Sequence, residues 1–308
     1  MAKTELFVNK TPGGVWTIEN EGYTTGKRFW VDSTTGSDSY SGLTPSKPMA
    51  TLDAAINLCT ADKGDIIYVM PGHAETITAT DGFDADVAGI KIIGLGWGET
   101  RPTFTFTATG SQVNVGAASV WIENLRFIAG VSAVVAGVQV EGKTDVVFKN
   151  CEWDYSGTTG HDFVLALEFE ENADRSIVEN CVFRSEPATA GTTAFIKYTA
   201  ACEAATVRGC EFWGDCATAS VLVGAAQTHM AFVDNLVFNE NDGEPYLEVA
   251  STTTGINANN RGYARVATIS DNAVGDALAH CENFTVNTLG THAIIRGAGG
   301  TVAADADS

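Results

Sequence analysis

Hydrophobic and polar positions alternate in a six-residue pattern that occurs six times between residues 92 and 238. The pattern reads apolar, variable, Asn or Gly, Cys or Leu, variable, Phe or Trp. A two-residue alternation predicts a strand with one buried face. The Asn or Gly position predicts a bend, because both residues tolerate the left-handed backbone region. The copies are Ile92–Trp97, Ile122–Phe127, Phe148–Trp153, Val178–Phe183, Val207–Phe212 and Val233–Phe238.

The spacing of the copies predicts a stacked-repeat fold. Their third positions are separated by 30, 26, 30, 29 and 26 residues, which leaves room for about three short strands per unit. Residues 90–240 show no stripe of helical period, so a helical solenoid is excluded. The predicted fold class is therefore all-β, a parallel β-helix of about six to eight coils. Further strands are predicted at Ala133–Val135, Phe163–Leu167, Ala194–Ile196 and Val221–Val223.

Stacking of the copies in register predicts four ladders. The predicted turn ladder is Gly94, Asn124, Asn150, Asn180, Gly209 and Asn235. The predicted inward Leu/Cys ladder is Leu95, Leu125, Cys151, Cys181, Cys210 and Leu236, and the predicted aromatic ladder is Trp97, Phe127, Trp153, Phe183, Phe212 and Phe238. An outward charge ladder alternates in sign, with each opposite pair contributing about 0.2–1 kcal/mol. Its members are Glu123, Lys149, Glu179, Arg208 and Asp234, and we interpret it as structural.

The chain divides into three predicted regions. Residues 1–28 are polar and broken by Pro and Gly, which predicts an arm. Residues 29–243 form the β-helix, and residues 51–59 have helical spacing with Thr51 as a candidate N-cap. This helix is expected to cap the first coil, since an open solenoid end exposes core and strand edge. Residues 244–308 lose the motif and are expected to cap the other end, form an oligomer contact or attach to a partner. Strand-like pieces remain there at Arg265–Ile269 and His292–Ile295.

Charge and cysteine content narrow the function classes. The formal net charge is −20 with only 18 Lys and Arg, which argues against binding nucleic acid or an anionic membrane surface. No apolar run is long enough to span a bilayer, and the first residues lack an apolar signal core. Seven cysteines, an odd number without ligand spacing, predict buried thiols made in a reducing cytoplasm and no metal centre.

Segments near the start resemble right-handed β-helix proteins of the pectate-lyase-like superfamily. They include Gly36–Asp38, Thr51–Leu52, Gly64–Val69 and Pro71–Glu75. Residues 82–104, with Gly82–Ile90, Ile92–Gly98 and Arg101–Phe104, are similar to β-helix proteins of tailed phages. The resemblance covers about residues 29–240 of this chain.

The resemblance implies a virion component, either a capsid decoration or a tailspike-like fibre. We expect a non-enzymatic homotrimer that decorates or cements the capsid by binding the phage major capsid protein. It would be assembled in the host cytoplasm and lie on the virion surface. Aromatic anchors are the candidate partner contacts, and they are Phe7, Trp16, Phe29 and Trp30.

Two further functions remain open, a polysaccharide depolymerase acting as lyase or glycosidase, and a glycan-binding receptor module for a host surface glycan. Catalysis would need carboxylates on neighbouring coils, and the candidates are Asp154, His161 and Asp162. No cofactor is expected. Calcium is an unassigned alternative, because aspartates in turn-rich segments offer the oxygen ligands it takes. They are Asp32, Asp38, Asp81, Asp84 and Asp86.

Overall fold

The chain folds into a right-handed parallel β-helix with three sheets along its length. The computed structural model describes residues 7–8, 17–18, 24–186, 191–239, 246–250, 252–264, 277–287 and 292–295. Right-handed crossovers are the rule for parallel strands within one sheet. Six coils contribute a strand to all three sheets, and further coils at both ends contribute to two of them.

Short strands make up almost all of the regular structure in the described residues. The first half contains β1 (Phe7–Val8), β2 (Thr17–Ile18), β3 (Arg28–Val31), the helix α1 (Leu52–Ile56), β4 (Ile66–Val69), β5 (Ala74–Ile77), β6 (Lys91–Gly94), a 3₁₀ turn (Gly98–Thr100), β7 (Thr103–Phe106), β8 (Val113–Val115), β9 (Trp121–Glu123), β10 (Arg126–Ala129), β11 (Val134–Val140), β12 (Val147–Lys149) and β13 (Glu152–Tyr155). The second half contains β14 (Phe163–Phe169), β15 (Ile177–Glu179), β16 (Val182–Arg184), β17 (Ala194–Tyr198), β18 (Thr206–Arg208), β19 (Glu211–Gly214), β20 (Val221–Val223), β21 (Met230–Val233), β22 (Leu236–Asn239), β23 (Leu247–Val249), β24 (Thr254–Ala258), β25 (Arg261–Ala264), β26 (Ala277–Cys281), β27 (Asn283–Asn287) and β28 (His292–Ile295).

The six complete coils visit the three sheets in the same order. Sheet I has the order β3-β4-β6-β9-β12-β15-β18-β21-β24-β26, and sheet II has β5-β7-β10-β13-β16-β19-β22-β25-β27-β28. Sheet III has β8-β11-β14-β17-β20-β23. Within these sheets all pairings are parallel except that of β28 with β27. Sheets I and II are joined by a short bend, and this bend is the six-residue pattern of the sequence.

The bend has left-handed backbone geometry in the second to fifth copies. The φ values there are between 53° and 62°, at Asn124, Asn150, Asn180 and Gly209. The residue that follows each bend points inward and is fully buried, and these residues are Leu125, Cys151, Cys181 and Cys210. Asn and Gly fit this position because other residues pay about 1–2 kcal/mol for a left-handed backbone.

The aromatic residues of these copies stack through the centre of the solenoid. The ring centroids of Trp153 and Phe183 are 4.6 Å apart, and those of Phe183 and Phe212 are 5.1 Å apart, with nearly parallel ring planes in both pairs. Phe127 lies 5.1 Å from Trp153 on the other side. Stacked rings of this kind contribute about 0.5–1.5 kcal/mol beyond their buried area.

The first copy departs from the predicted ladders. Gly94 ends β6 without a left-handed φ, and Leu95 is only half-buried. The predicted place of Trp97 in the aromatic ladder is wrong, since its side chain is 84% exposed. Phe104 of β7 takes that place and pairs with Phe127. The cause is an insertion of several residues between β6 and β7, which moves Trp97 out of the coil.

The sixth copy is shifted by one residue relative to the prediction. Asp234 occupies the bend with φ 58°, and Asn235 points inward and is 2% exposed. Val237 pairs with Phe212, so Leu236 and Phe238 face outward. The predicted positions of Asn235, Leu236 and Phe238 in their ladders are therefore wrong. A one-residue shift exchanges the two faces of a strand, because side chains alternate.

The charge ladder runs along the outer face of sheet I, with one correction. Glu179 lies between Lys149 at 3.9 Å and Arg208 at 3.2 Å. Glu123 bonds to Lys91 at 3.4 Å and to the indole nitrogen of Trp121 at 3.0 Å. Asp234 was predicted to end this ladder, but it occupies the bend and Val233 pairs with Arg208 instead.

The two ends of the solenoid differ from each other. At the first end, Thr51 accepts a hydrogen bond from the Ala54 amide and begins α1, whose Leu52 and Ile56 are buried in the core. At the other end the coils continue beyond residue 243, since β24 to β27 pair in parallel with the preceding coils. The predicted piece His292–Ile295 is β28, whereas Arg265–Ile269 lies outside the described residues.

None of the seven cysteines, all of which lie in the described residues, forms a disulfide bond. Five of them are buried, and burial raises the pKa of the Cys181 thiol well above its usual range. These thiols therefore serve as small apolar side chains of the core. In the described part of the chain, no helix is both long and apolar enough to cross a bilayer.

Candidate binding site on the outer face of sheet II

Charged side chains cluster on the outer face of sheet II, in its first coils. On β13, Trp153 points into the core, so its neighbours Glu152 and Asp154 point outward. The flanking strands place Arg126 beside Glu152 and Arg184 one step along the same face. We call Arg101, Arg126, Glu152, Asp154 and Arg184 the arginine–carboxylate cluster.

The members of the cluster are joined by ion pairs. Arg126 Nη2 donates to Asp154 Oδ2 at 2.6 Å, and Arg101 Nη1 donates to Glu152 Oε2 at 2.9 Å. Arg184 Nη1 donates to Glu152 Oε1 and lies 3.8 Å from Asp154 Oδ2. Burial lowers the pKa of Arg126, but its bond to Asp154 and the charge of Glu152 outweigh this and raise the pKa. Arg126 is thus held as a cation.

The guanidinium groups have more donors than the two carboxylates can accept. Each guanidinium carries five N–H donors in a planar fork, and a carboxylate offers about four lone-pair sites. Arg184 remains 39% exposed at its side chain, and Arg126 26%. The cluster therefore presents spare donors to solvent on a face whose side chains are fixed by the ion pairs.

A loop carrying Trp97 stands next to the cluster. Eight residues connect β6 to β7, whereas two connect β9 to β10. The loop is held by a bond from the Gly72 amide to Thr100 O at 2.7 Å and by the Asn124 side-chain amide, which donates to Gly96 O at 2.9 Å. Arg101, the residue before the last one of this loop, belongs to the cluster. The exposed indole of Trp97 is thus anchored by a fixed backbone beside the cluster.

An outward aromatic row continues the same face along the axis. Trp213 of β19, Phe238 of β22 and Tyr263 of β25 occupy the row that begins with Asp154 and Arg184. The centroids of Trp213 and Phe238 are 3.9 Å apart, and those of Phe238 and Tyr263 are 5.9 Å apart. The charged first half and the aromatic second half therefore form one continuous strip.

The candidate catalytic residues Asp154, His161 and Asp162 have different bonding partners. Asp154 belongs to the arginine–carboxylate cluster, whereas Asp162 is 1% exposed and accepts a hydrogen bond from the Glu186 amide at 2.8 Å. His161 Nδ1 lies 2.8 Å from Ser156 Oγ in the loop between β13 and β14. Within the described residues no hydrogen bond or ion pair links Asp154 to Asp162 or His161.

The predicted partner contacts lie in different environments. Phe29 is 2% exposed and belongs to the core, so its predicted role as a partner contact is wrong. Trp30 is half-buried with its ring 5.7 Å from that of Tyr68 on sheet I. Phe7 lies in β1, and Trp16 is outside the described residues. The arm prediction also ends too late, since Lys27 already bonds to Asp65 and Arg28 begins β3.

Two of the aspartates considered for calcium are used in turns. Asp38 accepts bonds from the Ala50 and Thr51 amides at 2.8 and 3.0 Å, and Asp32 accepts from Thr35 Oγ1 at 2.6 Å. Among the described residues, no group of three His, Cys, Asp or Glu side chains is already placed to hold a metal ion.

Most residues of the cluster were missed by the sequence pattern. Arg126 and Glu152 occupy the fifth position of the six-residue pattern, directly after the inward residue. Opposite charges at this position in consecutive copies were the available signal. Arg101 and Trp97 belong to the loop between β6 and β7. The six-residue pattern does not predict this loop.

No protein-family model matches the chain, and no curated protein does. Among solved structures, a rhamnogalacturonan lyase is similar with a TM-score of 0.49 and 13% identity, covering 88% of this chain and 89% of that one. The GH136 lacto-N-biosidase from Eubacterium ramulus is similar with a TM-score of 0.38 and 12% identity, covering 83% of this chain and 67% of that one. Both names describe carbohydrate-active enzymes. At these values the likeness does not indicate what this chain binds.

Proposed function

We propose that this protein binds a glycan chain along the outer face of sheet II and does not cleave it. The observation that carries the proposal is the 84% exposed indole of Trp97, held on a fixed loop beside the arginine–carboxylate cluster. A sugar ring has an apolar face that packs on an aromatic ring and a rim of hydroxyls that bond to polar side chains. Trp97 and Arg101 of the cluster belong to the same loop, so this part of the surface offers both kinds of contact.

The ion pairs of the cluster favour binding over catalysis. A β-elimination needs a base that can lose its proton, and the raised pKa of Arg126 keeps that guanidinium charged. Glu152 and Asp154 both accept hydrogen bonds from arginines, so neither is placed as a general acid. Fixed charges are well suited to orienting hydroxyl groups, because their side chains lose little conformational entropy when the ligand binds.

Replacement of Trp97 tests this proposal. Affinity electrophoresis and calorimetry with soluble acidic and neutral polysaccharides, such as alginate and dextran, would identify a bound glycan. We expect Trp97→Ala to weaken binding about tenfold without changing the melting temperature, because the side chain is 84% exposed. Tyr40→Ala, another exposed aromatic at 42%, is the matched control and should bind like the wild type. Unchanged affinity of Trp97→Ala would refute the site, and new reducing ends or unsaturated products would refute non-cleavage.

We also propose that the chain is a homotrimeric component of a tailed-phage virion that binds the major capsid protein. This second candidate is supported by the resemblance of residues 82–104 and not by the site. Immunogold electron microscopy of particles with an antibody against this chain should label the capsid surface. Absence of label from intact particles would exclude this candidate while leaving the glycan proposal to its own test.

A further inference from the structure

Carboxylates crowd the outer face of sheet III near the first end of the solenoid. The segment before β6 runs alongside β8, and an isolated bridge pairs Asp84 with Asn114. Phe83 and Ala85 are buried, so the Asp84 side chain between them points outward, next to that of Asn114. Further acidic residues surround this pair, namely Asp53, Asp81, Asp86 and Glu141.

Two neighbouring oxygen atoms of this region are buried without a donor. Asn114 is only 6% exposed, and its side-chain nitrogen donates to Asp81 Oδ1. The other polar atom of this side chain is the acceptor Asn114 Oδ1. In the described part of the chain, neither Asn114 Oδ1 nor Asp84 Oδ1 receives a hydrogen bond. A buried acceptor without a partner costs about 1–3 kcal/mol. A cation bound beside these two oxygen atoms would therefore stabilise both of them.

The electrostatic surroundings point in the same direction. Burial raises the pKa of Asp84 to about 6, and the charges of Asp86, Glu141, Asp81 and Asp53 add to the rise. Burial and neighbouring acids likewise raise the pKa of Glu170, which follows β14 one coil beyond Glu141. Like charges at close range disfavour ionisation unless a cation compensates them.

Gly116 brings the backbone close to Asp84 Oδ1. A Cβ atom at this position would lie 3.0 Å from Asp84 Oδ1 and 3.6 Å from the Cβ atom of Asp86. The backbone φ of Gly116 is not left-handed, so the local turn does not require glycine. The missing side chain instead lets the backbone lie close to Asp84 Oδ1, where a Cβ atom would press on that oxygen.

We propose that Asp84 and Asn114 form the fixed part of a site for one Ca²⁺ ion, completed by Asp81, Asp86 or Glu141 and by water. Calcium takes six to eight oxygen ligands, including carboxylates, amide carbonyls and water, in flexible geometry. Because only one carboxylate and one amide are already in place, affinity in the range of about 10⁻⁴–10⁻³ M is expected. The ion would tie the segment that carries Asp84 to sheet III and to Asp53 of α1, next to the capped end.

Thermal unfolding of the full chain tests this site. The melting temperature of the wild type in about 5 mM CaCl₂ should exceed that in NaCl of equal ionic strength by at least about 2 °C. Asp84→Asn removes a ligand charge, and Gly116→Ala places a methyl group against Asp84 Oδ1. Both variants should therefore lose this calcium-dependent increment. Glu203→Gln, which changes an exposed acid bonded to His229, is the control and should keep it.

The comparison uses the increment caused by calcium, so a change in the basal stability of a variant does not affect it. No increment in the wild type would overturn the proposal, as would a full increment in both Asp84→Asn and Gly116→Ala. An equal increment with MgCl₂ in every variant would also overturn it, because that pattern reports general screening of the net charge.

Discussion

At the residue scale, the inward column that follows the bend changes its chemistry along the axis. Cys151, Cys181 and Cys210 are followed by three buried asparagines, Asn235, Asn260 and Asn283. Asn260 Oδ1 accepts from both the main-chain and the side-chain nitrogen of Asn235, at 2.9 Å each, and Asn283 does the same for Asn260. The polar column is tolerated in the core because each amide finds hydrogen-bond partners in a neighbouring coil.

Replacing one asparagine should expose this dependence. Asn260→Ala removes the acceptor of two N–H groups of Asn235, each of which costs about 1–3 kcal/mol when left buried without a partner. We therefore expect a large loss in the free energy of unfolding, measured by urea denaturation. Cys181→Ala removes a small apolar group and leaves no buried N–H group without an acceptor. Its loss in the free energy of unfolding should therefore be clearly smaller. Equal losses would contradict the role given to the asparagine column.

The raised pKa of Asp162 predicts that the stability of the protein depends on pH. Burial raises its pKa above the ordinary value of 3.8, and the charges of Glu186 and Asp215 add to the rise, against the Glu186 amide bond and His161. The folded state thus holds the proton more tightly than the unfolded state, so stability falls as pH rises from about 4 towards the folded pKa. Asp162→Asn should flatten this fall in denaturation curves recorded at several pH values. A wild type and variant with parallel pH profiles would argue against it.

At the element scale, sheets I and II are stabilised by outward rows of paired side chains as well as by the core. Glu179 on β15 shares its carboxylate between Lys149 on β12 and Arg208 on β18. The equivalent row of sheet II has the arginine–carboxylate cluster and then the aromatic row. Each row links neighbouring coils, so the strands of one sheet support one another along the axis.

The row on sheet I can be measured by a double-mutant cycle. Lys149→Gln and Glu179→Gln should couple by about 0.2–1 kcal/mol, as partly exposed cross-strand pairs do. Glu179→Gln should be the more costly single change, because it loses two cations and Lys149→Gln loses one carboxylate. The free energies of unfolding of the four proteins give the coupling. Strict additivity would mean that the pair does not contribute.

At the scale of the whole molecule, stacking coils into a solenoid leaves two ends to be closed. The helix α1 covers one end, and β28 pairs antiparallel with β27 at the edge of sheet II near the other. A strand in the opposite direction ends the parallel stacking of sheet II in the described residues. The trimer expected from the resemblance remains a prediction about how three such solenoids associate.

Light scattering coupled to size-exclusion chromatography tests the trimer directly. The monomer mass is 32.4 kDa, and we expect three times this mass at micromolar concentration. The net charge of −20 opposes association at low salt, so the trimer should persist better in higher salt if apolar contacts hold it. A monomer at all salt concentrations would contradict the prediction.

The sequence by itself determined the coil. The alternation around Asn124, Asn150, Asn180 and Gly209 fixed the strand–bend–strand unit, and the period of the copies fixed the parallel stack. These features could be predicted because a buried face and a left-handed bend depend on residues close together in the chain. The capping helix after Thr51 could be predicted for the same reason.

Only the tertiary structure decided which residues share a surface. The shift at Asn235, the exposure of Trp97 and the meeting of Arg101, Arg126 and Glu152 all depend on the register between coils about 30 residues apart. A one-residue change of register exchanges core and surface, and neighbouring residues alone do not report it. The candidate glycan and calcium sites lie where the regular pattern is interrupted or where outward side chains of different coils come together.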